Sequence, residues 1–317
     1  MSEILVKKFI SATPIKFKKK NFEIKNLTTF KVGGKVKNIY FPKNQQELIY
    51  LLNTLKDYIL LGNCSNIIFC SSGYNGNIIL TTKMKAYQIR GTQIIAECGV
   101  KGQLLAPKAC ENSLSGFEFM IGFPGTIGGE VYMNASAHGQ CISDYIVNCC
   151  LYDKKTKEVV YKDRSEMDFS YRHSILQEER YILLGAIFEL KKANKTEIQN
   201  LIIRNLAARK EVQPNLTHPN AGSVFKNPEN DSAGRLLDKA GAKDFNYETV
   251  QVWNKHANFI VNKGDATSEN ILNLMVKMQE AVKNLYTIEL TPEIICIGDK
   301  TKKEEELCKI LYKKTQE

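Results

Sequence analysis

The stretch GFPGTIGGEVYMNASAHG, residues 122–139, constrains this chain more than any other. Glycine stands at 122, 125, 128 and 129 around Pro124, so a side chain is left out repeatedly within a few residues. Glycine weakens helices and strands alike, so such a run suits a backbone that turns sharply or is approached closely. The segment LGNCSNIIF shares this logic, with Gly62, Asn63, Ser65 and Asn66 directly after the apolar YILL. Consecutive N–H groups in a tight turn form a concave nest for an anion, and small residues admit a phosphate. Thr126 adds a hydroxyl donor to the later loop. Neither loop matches GxGxxG, and nothing fits GxxxxGK[ST]. On the residues alone, a structural turn and a ligand cradle both stay open.

The chain has 317 residues, 43% of them hydrophobic and 25% charged, which suits a soluble globular protein of two or three domains. A formal charge of +10 invites an anionic partner, but the lysines crowd towards the two ends and no aromatic residues interleave with them. A nucleic-acid footprint is therefore not expected. The nine cysteines show no CxxC, and Cys149 and Cys150 are adjacent, which suits neither one zinc nor a disulfide staple. They read as small core residues in a reducing compartment, with no metal site. No signal-peptide core and no bilayer-spanning run occurs, so a cytoplasmic protein without membrane contact is expected.

Periodicity places a helix on QQELIYLLNTLK and strands on YILLG, NIIFC, NIILTTKM, QIIAECG, YIVNCCLYD, EVVYKD and RYILLGAIFELK. LLAPKACENS reads as a short helix with Pro107 near its start or at a kink. Thr196 is expected to cap a helix through Ile198, Leu201, Ile202 and Leu206, stopped by Pro214, with a domain boundary beyond. A strand ANFIVN, a helix through Ile271, Met275, Met278, Val282 and Leu285, and the strand-like YTIELTPEIICIG follow. The charge-rich end is expected to be a peripheral helix or a frayed tail.

The ordered segments NLTTFKVGGKVKNIYFP, LGNCSNIIF, SGFEFMIGFPGTIGGEVYMNASAHG, DFSYRHSI, NAGSVFKNP, AGRLLDKAGAK and LTPEIICIGD resemble the motifs of the UDP-N-acetylenolpyruvoylglucosamine reductase family, in that family's order from Asn26 to Asp299. The unbroken stretch between SYRHS and NAGSVFKNP resembles its shorter type II subtype. The resemblance implies an α+β chain: a two-subdomain FAD-binding fold of the vanillyl-alcohol-oxidase/PCMH type, followed by a C-terminal α/β substrate-binding domain. The implied divisions are a basic leader at 1–20, FAD-binding subdomains at 21–88 and 89–213, and the substrate domain at 214–317. FAD is held noncovalently, NADPH is the co-substrate, and a monomer is expected. The residues implied to line the cofactor are Gly62, Asn63, Cys64, Ser65 and Asn66, then Pro124, Gly125, Thr126, Gly128 and Gly129, with Asn134 nearby. Cys64 stands where the family usually has glycine, and His138 replaces a common tyrosine.

The implied reaction reduces the enolpyruvyl ether of UDP-N-acetylglucosamine to the lactyl ether of UDP-N-acetylmuramate, a step of peptidoglycan precursor synthesis. FAD carries hydride from NADPH to the vinyl carbon; the protein must stabilise the resulting negative charge and supply a proton. By motif, Arg172 grips the substrate carboxylate, Ser223 delivers the proton, and Glu293 acts beside them as a protonated donor or an orienting carboxylate. Tyr171 is placed near flavin or substrate, and Lys226 or a water polarises the serine. A small-alcohol or sugar oxidase of the same superfamily would share the glycine loops but would not need GSVFKNP and TPEI. A basic nucleic-acid-binding protein is the other rival, suggested by charge alone.

Overall fold

A computed structural model describes residues 18–215 and 217–313. The chain divides into two compact units, each assembled from separated segments. The first takes in Ile39–Asn63 and Asn77–Ala208; the second takes in Lys20–Asn38, Cys64–Gly76 and the chain from Arg209 onward. The basic leader of the sequence reading lies outside the described residues up to 17, and its last three lysines begin the strand Lys18–Glu23.

The first unit is built on a five-stranded antiparallel sheet. Its order is Glu158–Asp163, Ile146–Asp153, Tyr181–Glu189, Gln93–Glu97, Tyr87–Arg90. The second and third of these strands are buried along nearly their whole length, so they read as continuous apolar runs rather than alternating ones. That is why Cys149 and Cys150, which point to opposite faces, are both fully buried. In a second, four-stranded sheet, Ile59–Leu61 runs parallel to Tyr74–Leu80. Helices Gln45–Thr54 and Gly102–Glu111 pack their apolar residues into the same core. Pro107 lies inside the second helix rather than at its start.

The second unit has its own core, in which Phe30, Val32, Ile68 and Cys70 from the early segments join residues from Ala221 to Leu311. The strand Ile67–Phe69 runs parallel to Ile295–Ile297. A three-stranded antiparallel sheet, Asn246–Tyr247, Val250–Val252 and Ile260–Asn262, lies with helices Ala233–Lys239, Ser268–Tyr286 and Lys302–Leu311. The charged end is therefore a docked helix, with Leu307 and Leu311 in the core.

Three expectations need correction. The helix Lys195–Val212 is capped by Asn194, whose Oδ1 accepts the Thr196 N–H at 2.8 Å; Thr196 is already inside it. Leu285 is 58% exposed: the buried face of its helix ends at Val282. Only Ile295–Ile297 of YTIELTPEIICIG is a regular strand; upstream the pairing is reduced to an isolated bridge between Pro292 and Phe225.

Candidate functional site

The chain passes from one unit to the other between Asn63 and Cys64, so the first glycine loop contributes to each. In the first unit, Gly62 follows the strand Ile59–Leu61 and meets the second loop. A Cβ on Gly62 would overlap Thr126 Oγ1. Asn63 Nδ2 donates to the Pro124 carbonyl at 2.5 Å, hooking the loops together. Thr126 is completely buried, and its hydroxyl has no hydrogen-bond partner. A buried hydroxyl without a partner costs about 1–3 kcal/mol. The glycines play different parts. A Cβ on Gly129 would make only an ordinary contact with Thr126 Oγ1 at 3.9 Å, whereas one on Gly128 would stand 3.1 Å from the Cys98 carbonyl, which accepts the Gly128 N–H at 2.7 Å. Gly128 therefore serves the packing of the helix Ile127–Tyr132 against the end of the sheet. The bare, converging glycine loops fit the diphosphate of a dinucleotide cofactor through their backbone, with Thr126 packed between them.

Beneath the second loop lies a residue that sequence reasoning missed. Glu130 is 4% exposed, and its carboxyl abuts Gly102 and Gly125, where a Cβ would press on it. Neither oxygen makes a well-formed hydrogen bond. Burial pushes its pKa up to about 8, and the Gly102 backbone N–H offsets only part of that. A charged residue inside the otherwise apolar IGGEVY was the available signal.

The SYRHS segment forms a tight hairpin in which Ser170 and His173 exchange backbone hydrogen bonds at 3.3 and 3.2 Å. Tyr171 and Arg172 occupy its tip, with Arg172 at φ +55°. Left-handed backbone at a non-glycine residue is strained and persists where the surroundings enforce it. The enforcement is visible: Gln177 Nε2 donates to the Arg172 carbonyl at 2.9 Å, and Asn134 Nδ2 to the Ser170 carbonyl at 2.9 Å. Arg172 Nη1 donates to Ser136 Oγ at 2.7 Å, and its guanidinium lies 5.0 Å from the Tyr171 ring centroid. Asn134, expected beside the cofactor, thus uses its amide to hold the hairpin that carries Arg172. Its Oδ1 also accepts the Ser143 N–H at 3.3 Å.

In the second unit, Cys64 is buried at φ +52°, a left-handed backbone that favours glycine, so the side chain sits there at a conformational cost. Its carbonyl accepts from the Thr29 N–H and hydroxyl at 3.3 and 3.4 Å, and burial pushes its thiol up to about 12. Ser65 is half-buried. Asn66 Nδ2 donates to the Glu293 carbonyl at 3.1 Å, while the Asn66 carbonyl accepts the Ile295 N–H at 3.1 Å. The segment holding Ser223 is clamped on both edges. Asn258, 3% exposed, accepts the Phe225 N–H on Oδ1 and donates to the Phe225 carbonyl from Nδ2, each at 2.9 Å. On the other side the Val224 carbonyl accepts the Glu293 N–H at 2.8 Å, and Lys226 N–H donates to the Thr291 carbonyl at 2.8 Å. Ser223, Lys226 and Glu293 are thus carried by adjoining extended segments, each half-buried. Among the described residues, no cluster of His, Cys, Asp or Glu could hold a metal, and no helix is long and apolar enough to cross a membrane.

Two matched regions define the class of protein. Residues 36–155 match an FAD binding domain, and residues 213–297 match the C-terminal domain of UDP-N-acetylenolpyruvoylglucosamine reductase. An α+β flavoprotein oxidoreductase is the class these define. Proteins named UDP-N-acetylenolpyruvoylglucosamine reductase show strong likeness along the chain. That of Caldicellulosiruptor bescii is 44% identical over 286 residues, 88% of this chain and 90% of the relative. That of Caldanaerobacter subterraneus subsp. tengcongensis is 36% identical over 304 residues, 95% of this chain and 100% of the relative. The crystal structure of the Thermus caldophilus reductase superposes with a TM-score of 0.76 at 29% identity, covering 87% of this chain and 97% of that one. The chain belongs to the UDP-N-acetylenolpyruvoylglucosamine reductase family.

Proposed function

We propose that this chain reduces UDP-N-acetylglucosamine enolpyruvate to UDP-N-acetylmuramate in peptidoglycan precursor synthesis, with FAD bound noncovalently and NADPH as reductant. The carrying observation is the family relationship over 88% of the chain, supported by the match of residues 213–297, the stretch that includes Ser223 and Glu293, to the family's C-terminal domain. When bound, FAD relays hydride from NADPH to the vinyl carbon of the substrate. The bare backbone of Gly62, Gly125 and Gly129 would receive its diphosphate, with Thr126 packed between the loops and Asn63, Pro124, Cys64 and Ser65 shaping them.

Arg172 grips the substrate carboxylate with its planar fork and stabilises the enolate that forms there; its enforced backbone supports that reading. Ser223 supplies the proton to the neighbouring carbon. An aliphatic hydroxyl is a weak acid, so Lys226 or a water polarises it. Glu293, protonated beside the developing enolate, donates a hydrogen bond rather than adding charge. Tyr171, 51% exposed at the hairpin tip, covers the substrate. Asn66, Asn134 and Asn258 position these segments.

The test separates the half-reactions by stopped flow. Ser223→Ala should leave bleaching of the flavin by NADPH intact and slow recolouring by the enolpyruvyl nucleotide sugar by about 100-fold or more, the usual worth of a general acid. Recolouring at the parent rate removes the serine from the mechanism. An oxidase would recolour with molecular oxygen alone and ignore the sugar nucleotide.

A further inference from the structure

Arg172 is held at its backbone and at its side chain by different residues. The amides of Gln177 and Asn134 fix the backbone of its hairpin. Gln177, on the short helix Ile175–Glu178, also donates to the Tyr132 carbonyl at 2.9 Å, and Ser174 Oγ donates to that same carbonyl at 3.0 Å. The side chain is met by Ser136, whose Oγ accepts from Nη1 at 2.7 Å. A hydrogen bond this short from a charged donor belongs to the stronger class. Neither hydride transfer nor proton transfer calls on Ser136 directly.

Ser136 stands on an anchored platform. Just upstream, the Ala135 N–H donates to the Glu130 carbonyl at 2.8 Å, and the Ala135 carbonyl accepts the Ile142 N–H at 3.0 Å. The strand Ser136–Ala137 then pairs antiparallel with Gln140–Cys141, placing Ser136 opposite Cys141. His138 and Gly139 turn the chain between them at φ +53° and +78°. Successive left-handed residues of this kind match the twist of a tight hairpin, so the turn fixes the strand that bears the serine. A serine has a single torsion before its oxygen and little freedom once its backbone is set. An arginine is long and rotamer-rich, and stays ordered only where something holds its head.

We infer that Ser136 is the positioning residue that orients the Arg172 guanidinium for the substrate carboxylate. The inference rests on the proposed reduction, in which Arg172 grips that carboxylate. A guanidinium presents its N–H donors in a rigid planar fork, and a carboxylate takes a parallel pair of them. Holding Nη1 therefore fixes the plane in which the rest of the fork meets the ligand. Ordering the side chain before the substrate arrives removes that cost from binding. The choice of serine also matters electrically. An acidic partner at this place would cancel the guanidinium charge and compete with the substrate, whereas a neutral oxygen holds the head and leaves its charge for the enolate.

The test compares two ligands on the oxidised holoprotein by flavin difference spectra: the enolpyruvyl nucleotide sugar, and UDP-N-acetylglucosamine, which lacks the carboxylate. Ser136→Ala should weaken the first by about 10-fold, the low end for a hydrogen bond to a charged group, and the second little. Ser136→Thr keeps the oxygen and should restore the parent ratio. In an Arg172→Lys background, which lacks Nη1, Ser136→Ala should cost nothing further. The inference is overturned if Ser136→Ala weakens both ligands equally, as a general loosening would, or changes neither. It is equally overturned if the effect survives undiminished beside Arg172→Lys. A parent protein that does not prefer the enolpyruvyl compound overturns the proposed reduction itself, an outcome distinct from a failure confined to Ser136.

Discussion

Gly62→Ala isolates the point where the two glycine loops converge. The Gly62 backbone lies outside the left-handed region, so alanine adopts it without strain and only the added methyl matters. That methyl would overlap Thr126 Oγ1, on a side chain with no exposed surface and hence no room to swing away. Forcing one extra carbon into a packed site costs about 1–3 kcal/mol. Since the loops must part to admit the methyl, that cost falls on the cradle, and FAD affinity should drop by about 5–150-fold at roughly 1.4 kcal/mol per decade. Thr126→Ala alone removes a hydroxyl that has neither a partner nor exposed surface, so it should change FAD affinity little. The double variant distinguishes steric from chemical effects, because removing Oγ1 makes space for the methyl. Titrating apoprotein with FAD by flavin fluorescence should therefore show a double-variant loss well below the sum of the single losses. Additivity within about 0.5 kcal/mol would mean the residues do not interact, and would refute the account of the loops.

Glu130→Gln should raise stability at alkaline pH. The folded pKa of about 8 lies above the ordinary carboxyl value of 4.5, so the unfolded chain ionises first and the parent loses stability as pH rises from about 4.5 to about 8, then levels off. Urea melts across that range should show a shallower decline in the variant; equal slopes would reject a neutral buried carboxyl. Asn258→Ala strips two buried hydrogen bonds from the Phe225 backbone and should destabilise the protein by about 2–4 kcal/mol. It should also cut turnover more than it lowers the melting temperature would explain, whereas unchanged kcat in the folded fraction would confine Asn258 to stability.

Legibility in the sequence followed the range of the forces involved. Strands such as Ile146–Asp153 and the helix Gln45–Thr54 were legible because their apolar spacing is local. The motif segments around Arg172, Ser223 and Glu293 were legible by resemblance. What the motifs do for one another was not. No local pattern tells that Asn258 clamps Phe225, that Asn134 holds Ser170, or that Asn66 braces Glu293, since these hydrogen bonds join residues far apart in sequence. Trp253, given no role from sequence, donates from Nε1 to the Val212 carbonyl at 3.0 Å and closes the end of a helix. Asn194 displaced Thr196 as a cap because both carry suitable oxygens and only the backbone turn chooses between them.

The second unit's construction from Lys20–Asn38, Cys64–Gly76 and the chain beyond Arg209 bears on its birth at the ribosome. Phe30, Val32 and Ile68 emerge early, yet the residues that bury them are translated more than a hundred positions later. During that interval their apolar surface has no native partner and invites chaperones or self-association. Docking of the last helix through Leu307 and Leu311 is then the event that retires the hazard, which makes nascent-chain solubility sensitive to changes near Cys308 as well as to changes near Phe30.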